Sequence, residues 1–402
     1  MSDLDLIVEK KLKKLNKLNS NCGLNDIVII VYYGRSGSYF LHSLLDSHPD
    51  LICLPPIINS FQFELSKCPT DITTVESGFS FVEKKFGPFF GASYKAEQEN
   101  YFRQCETGNL DVDNICEYHK FKKYFFYYFN LLTSEGYTDK LRLFLTINYS
   151  FDSCLNGEQS IERLKQKKIV FQLHNPLYDQ INWYAKNFNK CTVLQMVRSP
   201  LVALRSLLRC KMESNNLTPD NLVKILGQLF FNATQHPNHA VKHIGIKLED
   251  LHASPNAILS RLCNRLAIQW DDCLLRSSFG GRRWSNVKGR EHISGFSPSS
   301  QAKICLSDLI PVLDEKILLK LFAARYRSWG YQLPSELEED PLQVLKTHTL
   351  LIEYLPYFSS IELARKAYEK QLLITRSEKV LFFYRYVLSF NEPFIEVIEC
   401  KR

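Results

Sequence analysis

A continuous apolar run, a glycine-containing turn and an amphipathic segment, in that order, do most to constrain the fold of this chain. The run "DIVIIVYY" (26–33) is rich in Ile and Val, the pattern of a strand buried on both faces of a parallel sheet. The turn "GRSGS" follows it. In "SYFLHSLLDSHP", apolar residues then recur at helical spacing until Pro49. The stretch therefore predicts a strand, a tight turn and a helix.

The same order of elements recurs further along the chain. "KKIVFQLHNP" (167–176) predicts a strand that ends in a His-Asn-Pro loop. "CTVLQMVRSPLVALRSLLR" (191–209) predicts a strand, a loop with proline at the first helical turn, and an amphipathic helix. "HIGIKLEDLHASPNAILSRLCNRLAI" adds another short strand and a helix. Strands that alternate with helices indicate an α/β domain with a central parallel sheet.

The 402 residues divide by pattern into a core domain and three additions. Residues 1–25 read as a charged N-terminal helix or leader, and residues 26–335 as the α/β domain. Within it, residues 57–165 form a largely helical insertion, whose aromatic block "YHKFKKYFFYYFNLL" either covers an acceptor site or packs as a satellite core. Residues 336–402 begin with acidic, proline-bearing sequence and read as a helical C-terminal extension.

Composition narrows the class of protein. No segment approaches the roughly 18 uninterrupted apolar residues of a membrane-spanning helix, and the N-terminus lacks a signal-like apolar block, which favours a cytoplasmic location. The 12 cysteines form no CxxC pair or Cys/His cluster, so reduced thiols are expected and a metal is not. A net charge of +7 without a dense basic run permits an anionic ligand but argues against nucleic acid.

The turn "GRSGS" carries the features of an anion site. Backbone N–H groups at a strand-to-helix turn and the positive end of the helix dipole bind phosphate together. Gly34 and Gly37 let the backbone approach an anion closely, while Ser36 and Ser38 add hydroxyls. Arg35 adds a fixed charge with a planar fork of donors.

This turn lacks one group that nucleoside triphosphatases use. In their motif, GxxxxGK[ST], a lysine and a hydroxyl residue follow the second glycine, whereas here Tyr39 and Phe40 stand after "GS". The turn is therefore expected to bind a phosphate without the usual arrangement for Mg²⁺ and a γ-phosphate.

These residues resemble the sulfotransferases that use 3′-phosphoadenosine 5′-phosphosulfate (PAPS). In that family a "GRSGS" or "PKSGT" turn cradles the 5′-phosphosulfate, which matches Gly34 to Ser38 here, and Tyr39 directly after it is a further candidate for the cofactor site. An arginine at the end of a later strand and a serine eight residues on bind the 3′-phosphate. Arg198 and Ser206 match them, with Pro200 between as in the family's RxP pattern. The resemblance implies a P-loop-like three-layer α/β fold and PAPS as cosubstrate.

Looser resemblances extend in pieces from Asp26 to Tyr331. "GGRRWSNVKGR" (280–290) resembles a basic loop that folds over the 3′-phosphate, which makes Lys288 and Arg290 candidate clamps; a solvated basic loop is the alternative. "KLEDL" resembles a family segment in which Glu249 and Asp250 look structural rather than catalytic.

The resemblance implies sulfuryl transfer to a hydroxyl, in which Arg35 stabilises the moving group. His174 matches the histidine of the family's "KTH" triplet and is the first candidate for the base. Gln172 and Leu173 depart from that triplet and remove a lysine, for which Arg35 compensates. Glu64 is a second candidate for the base, and a structural role for His174 stays open. His42 and His48 are expected to be helix and helix-end residues.

Two other functions remain open at this stage. One is a nucleotide kinase or triphosphatase with a degenerate phosphate loop, although neither a loop lysine nor a strand ending in a metal-binding aspartate is present in convincing form. The other is a non-catalytic nucleotide-binding interaction protein, an alternative kept open by the altered triplet. The expected acceptor is a carbohydrate, a lipid or a small metabolite, and the oligomeric state cannot be read from the sequence.

Overall fold

The computed structural model contains a parallel sheet at the centre of the domain. It describes residues 24–32, 36–54, 72–86, 116–174, 178–204, 206, 241–283, 285–288, 291–296, 319, 323–332 and 396–398. The sheet strands are β1 (Ile27–Tyr32), β2 (Leu51–Cys53), β3 (Lys168–His174), β4 (Cys191–Val197), β5 (Lys242–Lys247) and β10 (Glu396–Ile398). They lie side by side in the order β10-β5-β4-β1-β3-β2, and every pairing is parallel.

The other regular elements of the described structure are nine α-helices, a 3-10 helix (Asp272–Leu275) and two short hairpins. The helices are α1 (Ser38–Leu45), α2 (Val75–Phe86), α3 (Tyr118–Ser134), α4 (Asp139–Asn156), α5 (Ile161–Gln166), α6 (Tyr178–Asn187), α7 (Leu248–Ala253), α8 (Pro255–Leu266) and α9 (Ala323–Ser328). One hairpin pairs β6 (Ser278–Phe279) with β7 (Arg282–Arg283), and the other pairs β8 (Ser285–Lys288) with β9 (Glu291–Ser294).

Side-chain alternation along β1 divides the core into two layers. Ile27, Ile29 and Val31 pack into the same hydrophobic cluster as helices α3, α4 and α6. Val28 and Ile30 point the other way, into a cluster with α1, α7 and α8. Because successive side chains of a strand point to opposite faces, both faces of the sheet are covered. The predicted three-layer α/β fold with a central parallel sheet is confirmed.

The aromatic block of the insertion forms part of the core. On helix α3, Phe121, Phe125, Tyr128 and Phe129 are at most 1% exposed and belong to the cluster that contains the sheet face. Tyr128 also donates or accepts a hydrogen bond with Ser153 of α4 at 2.7 Å. Of the two interpretations of the block, its described residues therefore support a packing core rather than a cover.

Residues at both ends of the described structure pack against the α/β domain. Glu396–Ile398 pair in parallel with β5, so these three residues are a strand where a helical extension was expected. At the other end, the buried Asn25 side chain donates to the carbonyl oxygens of Leu164 and Lys167, each at 2.7 Å, and accepts from the Tyr149 hydroxyl at 2.6 Å. The predicted helix or leader otherwise lies outside the described residues.

Candidate functional site

The order of the strands brings the predicted groups to one edge of the sheet. Strand β1 lies between β3 and β4, and its last residue, Tyr32, pairs in register with His174, the last residue of β3. Arg198 directly follows β4 on the other side of β1. From β1 the chain first builds β2 and β3 on one side and then β4 and β5 on the other. Such a reversal opens a crevice at the carboxyl ends of the strands, where α/β proteins bind ligands.

The second half of the glycine turn has the geometry of an anion-binding helix start. Gly37 is the N-cap of α1 and adopts a left-handed conformation with φ of 88°. A Cβ atom at this position would approach Cδ1 of Leu248 to 2.6 Å. Gly37 has no side chain, so the N-cap residue itself offers no cap to the N–H groups of the first turn of α1. The start of a helix is suited to a negatively charged ligand.

The Ser36 hydroxyl supplies a second observation at this turn. Ser36 is only 7% exposed, and its Oγ has no hydrogen-bond partner within the part of the chain that the structure describes. A buried polar atom left without a partner costs about 1–3 kcal/mol, so such atoms are uncommon in folded proteins without a reason. Together with the glycine N-cap of α1, this hydroxyl fits an anion bound at the turn.

Gln172, which stands where the family that the sequence resembles has a lysine, contacts this turn directly. Its side chain is 1% exposed, and Nε2 donates to the Ser38 carbonyl oxygen at 3.3 Å. The sequence indicated only the loss of a charge at this position. Alternation along β3 would have placed Gln172 on the face that α1 covers, next to Val170, which packs in the α1 cluster.

The loop that begins at Arg198 is held by two elements that come later in the chain. The Ser199 N–H donates to Oε1 of Glu249 at 3.3 Å, and its hydroxyl bonds the Tyr326 hydroxyl at 2.9 Å. The Tyr331 hydroxyl donates to Oε2 of the same glutamate at 2.7 Å. Glu249 therefore has the structural role expected of it, since it fixes the backbone directly after Arg198.

The buried His252 is sensitive to the charge of Arg198. Burial, together with the positive charge of Arg198, lowers the pKa of His252 to about 4. Its ring stacks on Phe40 of α1 with centroids 4.7 Å apart and an interplanar angle of 11°. At neutral pH His252 is therefore uncharged, and it lies on the side of the sheet that α1 covers.

The structure describes only some of the remaining predicted site residues. Ser206 is a buried helical residue, eight positions after Arg198, and Tyr39 lies on α1 against Phe279. His174 ends β3 and Lys288 ends β8, but their side chains lie outside the described residues. Outside them entirely lie Gly34, Arg35, Glu64 and Arg290. The roles of all these residues stay predictions.

The described residues also bear on metal binding and on membrane spanning. Within the described ranges, no three His, Cys, Asp or Glu side chains are grouped so that they could hold a metal ion. None of the helices described is both long enough and apolar enough to span a bilayer.

Comparison with known proteins gives a resemblance at the level of structure only. No protein-family model and no curated protein sequence matches the chain. The sulfotransferase domain from the Synechococcus PCC 7002 olefin synthase aligns with a TM-score of 0.36 and 16% identity, over 81% of this chain and 94% of that domain. The sulfotransferase domain from the curacin biosynthetic pathway gives 0.35 and 16%, over 81% and 97%. At this level of similarity, the chemistry has to be argued from the residues of the chain itself.

Proposed function

We propose that this protein is a sulfotransferase that transfers a sulfuryl group from PAPS to an acceptor hydroxyl of a carbohydrate, a lipid or a small metabolite. The observation that carries the proposal is the adjacency of β3, β1 and β4. It supports a single site for the phosphate turn after β1, for His174 at the end of β3 and for Arg198 directly after β4.

The two phosphate-bearing ends of the donor would bind to different elements. The 5′-phosphosulfate would lie on the turn from Gly34 to Ser38, with N–H groups at the start of α1 and the Ser36 hydroxyl as donors. The 3′-phosphate would contact Arg198 and Ser206. A guanidinium and a hydroxyl that converge on one phosphate form charge-assisted hydrogen bonds, which are stronger than neutral ones.

The chemical step requires a base and a source of positive charge. The acceptor oxygen forms a bond to sulfur while the bond from sulfur to the 5′-phosphate oxygen breaks, and the phosphate keeps that electron pair. His174 takes the acceptor proton, because an imidazole can accept one at neutral pH. Arg35 stabilises the charge that develops on the leaving phosphate. Glu64 is the alternative base.

One observation favours a second candidate function, a nucleotide-binding protein without transfer activity. Gln172 replaces the family's lysine, and its amide bonds the Ser38 backbone. The group that would otherwise contact the sulfuryl is thus engaged in holding the turn. Arg35 is then the main positive charge available for the moving group, and measured transfer separates the two candidates.

Nucleotide binding tests the donor site first. Adenosine 3′,5′-bisphosphate should raise the Tm, since a ligand at 100 times its Kd stabilises the folded state by about 2.7 kcal/mol. Arg198→Ala should abolish this shift, while Arg261→Ala, a change on the helix α8 away from the strand ends, serves as a matched control. Stabilisation by ATP with Mg²⁺ but not by the bisphosphate would overturn the proposal in favour of a kinase or triphosphatase.

Transfer tests the catalytic step. Labelled sulfate from PAPS should reach an acceptor when the protein is incubated with fractionated carbohydrate, lipid and metabolite extracts. His174→Ala should reduce that transfer by about 10²–10⁴-fold while the bisphosphate still raises the Tm. Glu64→Gln is the parallel variant; if it removes transfer and His174→Ala does not, the base is Glu64. Binding without transfer to any acceptor would instead favour the non-catalytic candidate.

A further inference from the structure

We propose that residues 278–296, which we call the basic strap, are fastened at both ends to helix α1, and that Asp46 and Phe296 are the positioning residues that hold it. The inference rests on the proposed function, because the strap contains Lys288 and Arg290, the candidate clamps for the 3′-phosphate. The strap comprises the hairpins β6–β7 and β8–β9 and ends at Phe296, two residues after β9.

The first fastening is a hydrogen-bond cluster around the carboxylate of Asp46, the C-cap residue of α1. Asp46 is 1% exposed and accepts from the Ser278 hydroxyl at 2.7 Å and from the backbone N–H groups of Gly280 and Gly281 at 3.1 and 3.0 Å. The two glycines have φ values of 59° and 74°, which turn both N–H groups toward one carboxylate. Phe279 adds an edge-to-face contact with His42 of α1, with centroids 5.5 Å apart.

The second fastening is an aromatic stack at the other end of α1. The Phe296 ring meets Phe40 edge-on at 5.3 Å and His252 at 6.4 Å. Phe40 and His252 in turn stack on each other. The charge of Arg198, which the proposed function assigns to the 3′-phosphate, contributes to the lowered pKa of His252. Phe296 is thereby packed against the first turn of α1 and against a ring within electrostatic reach of that arginine.

The two fastenings place the two ends of the strap at opposite ends of α1. Asp46 follows the helix, and Phe40 is the third of its eight residues. An α-helix rises 1.5 Å per residue, so the two ends of α1 lie about 10–12 Å apart. The strap therefore starts at the far end of the helix and finishes beside the phosphate turn.

The positive charge of the strap explains why its fastenings would matter for nucleotide binding. Between the fastenings the strap carries Arg282, Arg283, Lys288 and Arg290 against one acid, Glu291. Like charges repel one another, and ordering a segment of this length on ligand binding would lower the affinity for the ligand. Two fastenings on the same helix that begins at the phosphate turn order the strap before the nucleotide binds.

Hydrogen exchange in the free protein tests the fastenings without reference to any ligand. In Phe296→Ala and in Asp46→Asn, backbone amides of β8 and β9 should exchange at least about tenfold faster than in the wild type. Phe296→Tyr, which keeps the ring, should restore protection. Phe79→Ala removes a buried ring of α2 in the other cluster and serves as the matched control for a general loss of stability, with no selective effect on the strap.

Nucleotide affinity then tests the positioning role. Phe296→Ala should raise the Kd for adenosine 3′,5′-bisphosphate by about tenfold, as expected for losing two aromatic contacts, and change the Kd for AMP by less than about twofold. Equal losses for both nucleotides, or unchanged exchange in both variants, would overturn the inference. If the wild type binds neither nucleotide, the proposed function and the positioning role fall together, while the exchange data still decide the fastenings. Should Asp46→Asn fail to fold, Phe296→Ala alone carries the test.

Discussion

Gln172 holds the first turn of helix α1 by donating a hydrogen bond from its side-chain amide to the carbonyl oxygen of Ser38, over 3.3 Å. Both residues are buried, at 1% and 3% exposure. The bond joins the end of β3 to the phosphate turn after β1. In the sequence, Gln172 indicates only that the lysine of the resembling family is missing. In the fold, the same residue makes a structural hydrogen bond.

Replacing Gln172 with leucine should destabilise the protein. The change keeps the approximate size of the side chain but leaves the Ser38 carbonyl without this donor, which costs about 1–2 kcal/mol. Urea unfolding followed by circular dichroism measures the loss. Gln172→Glu should lose more, because a carboxylate in place of the amide faces the carbonyl oxygen with another acceptor. A leucine variant as stable as the wild type would show that the bond contributes nothing.

The strands of the sheet could be predicted from the sequence because their patterns are local. The runs that became β1 and β4 are continuous and apolar, so burial on both faces follows from composition alone. The strand at Glu396–Ile398 could not be predicted in the same way. It is three residues long and exists through pairing with β5, about 150 positions earlier in the chain, to which no local pattern points.

In the candidate site, too, the features with a local sequence pattern could be predicted and those that depend on distant residues could not. The candidate phosphate turn could be predicted because glycine and serine between a strand and a helix form a short, local sequence pattern that indicates an anion site. The role of Asp46 was not visible, since its partners Ser278, Gly280 and Gly281 lie more than 230 positions later. Glycine in "FGG" indicates a turn, but the carboxylate to which that turn binds is fixed only by tertiary packing.

Gly37→Ala should lower the unfolding free energy for two separable reasons. Its φ of 88° is unfavourable for any residue with a Cβ, and that Cβ would lie 2.6 Å from Cδ1 of Leu248. The expected loss in unfolding free energy is about 2–4 kcal/mol, made up of about 1–2 kcal/mol of backbone strain and a clash of similar size. Chemical denaturation of the variant measures the sum.

Gly136 offers a matched control for the backbone part alone. Its φ of 79° is similar, but within the described structure no atom lies within 4 Å of the position that a Cβ would take. Gly136→Ala should therefore lose only the strain, about 1–2 kcal/mol. In the double variant Gly37→Ala, Leu248→Ala, relief of the clash should make the alanine at position 37 no more costly than at position 136, when compared with Leu248→Ala alone. Equal losses for the two single variants would show that the contact with Leu248 relaxes freely.

Ser36→Ala should separate stability from binding. Because the buried Ser36 Oγ has no partner in the described part of the chain, its removal should leave the unfolding free energy unchanged or raise it by up to about 1 kcal/mol. The same change should weaken AMP and adenosine 3′,5′-bisphosphate alike, since the 5′-phosphate is common to both. Ser43→Ala, which removes a hydroxyl bonded to the Phe40 carbonyl at 2.7 Å, should instead lower stability. A Ser36 variant that loses stability and keeps its affinities would contradict the assignment of this hydroxyl to an anion.

His42 should make the protein less stable in mild acid. Burial on α1 lowers the pKa of its imidazole to about 3, whereas in the unfolded chain the group titrates near its usual value of 6.5. Between these values the unfolded chain binds a proton that the folded protein does not. The stabilisation from neutral His42 is therefore complete above about pH 6.5 and is lost as the pH falls toward 3. At pH 5 the loss attributable to this residue is about 2 kcal/mol.

His42→Leu isolates this contribution. His243 and His252, whose pKa values burial also lowers, to about 4, add acid sensitivity of the same sign and remain in both proteins. Urea unfolding at pH 7.5 and pH 5 gives the fall in stability for each protein, and the fall should be about 2 kcal/mol smaller for the leucine variant. The comparison of the two falls in stability does not depend on whether leucine itself packs better or worse against Phe279, since that difference is the same at both pH values. Equal falls in the two proteins would show that His42 is protonated in the folded state near its usual pKa.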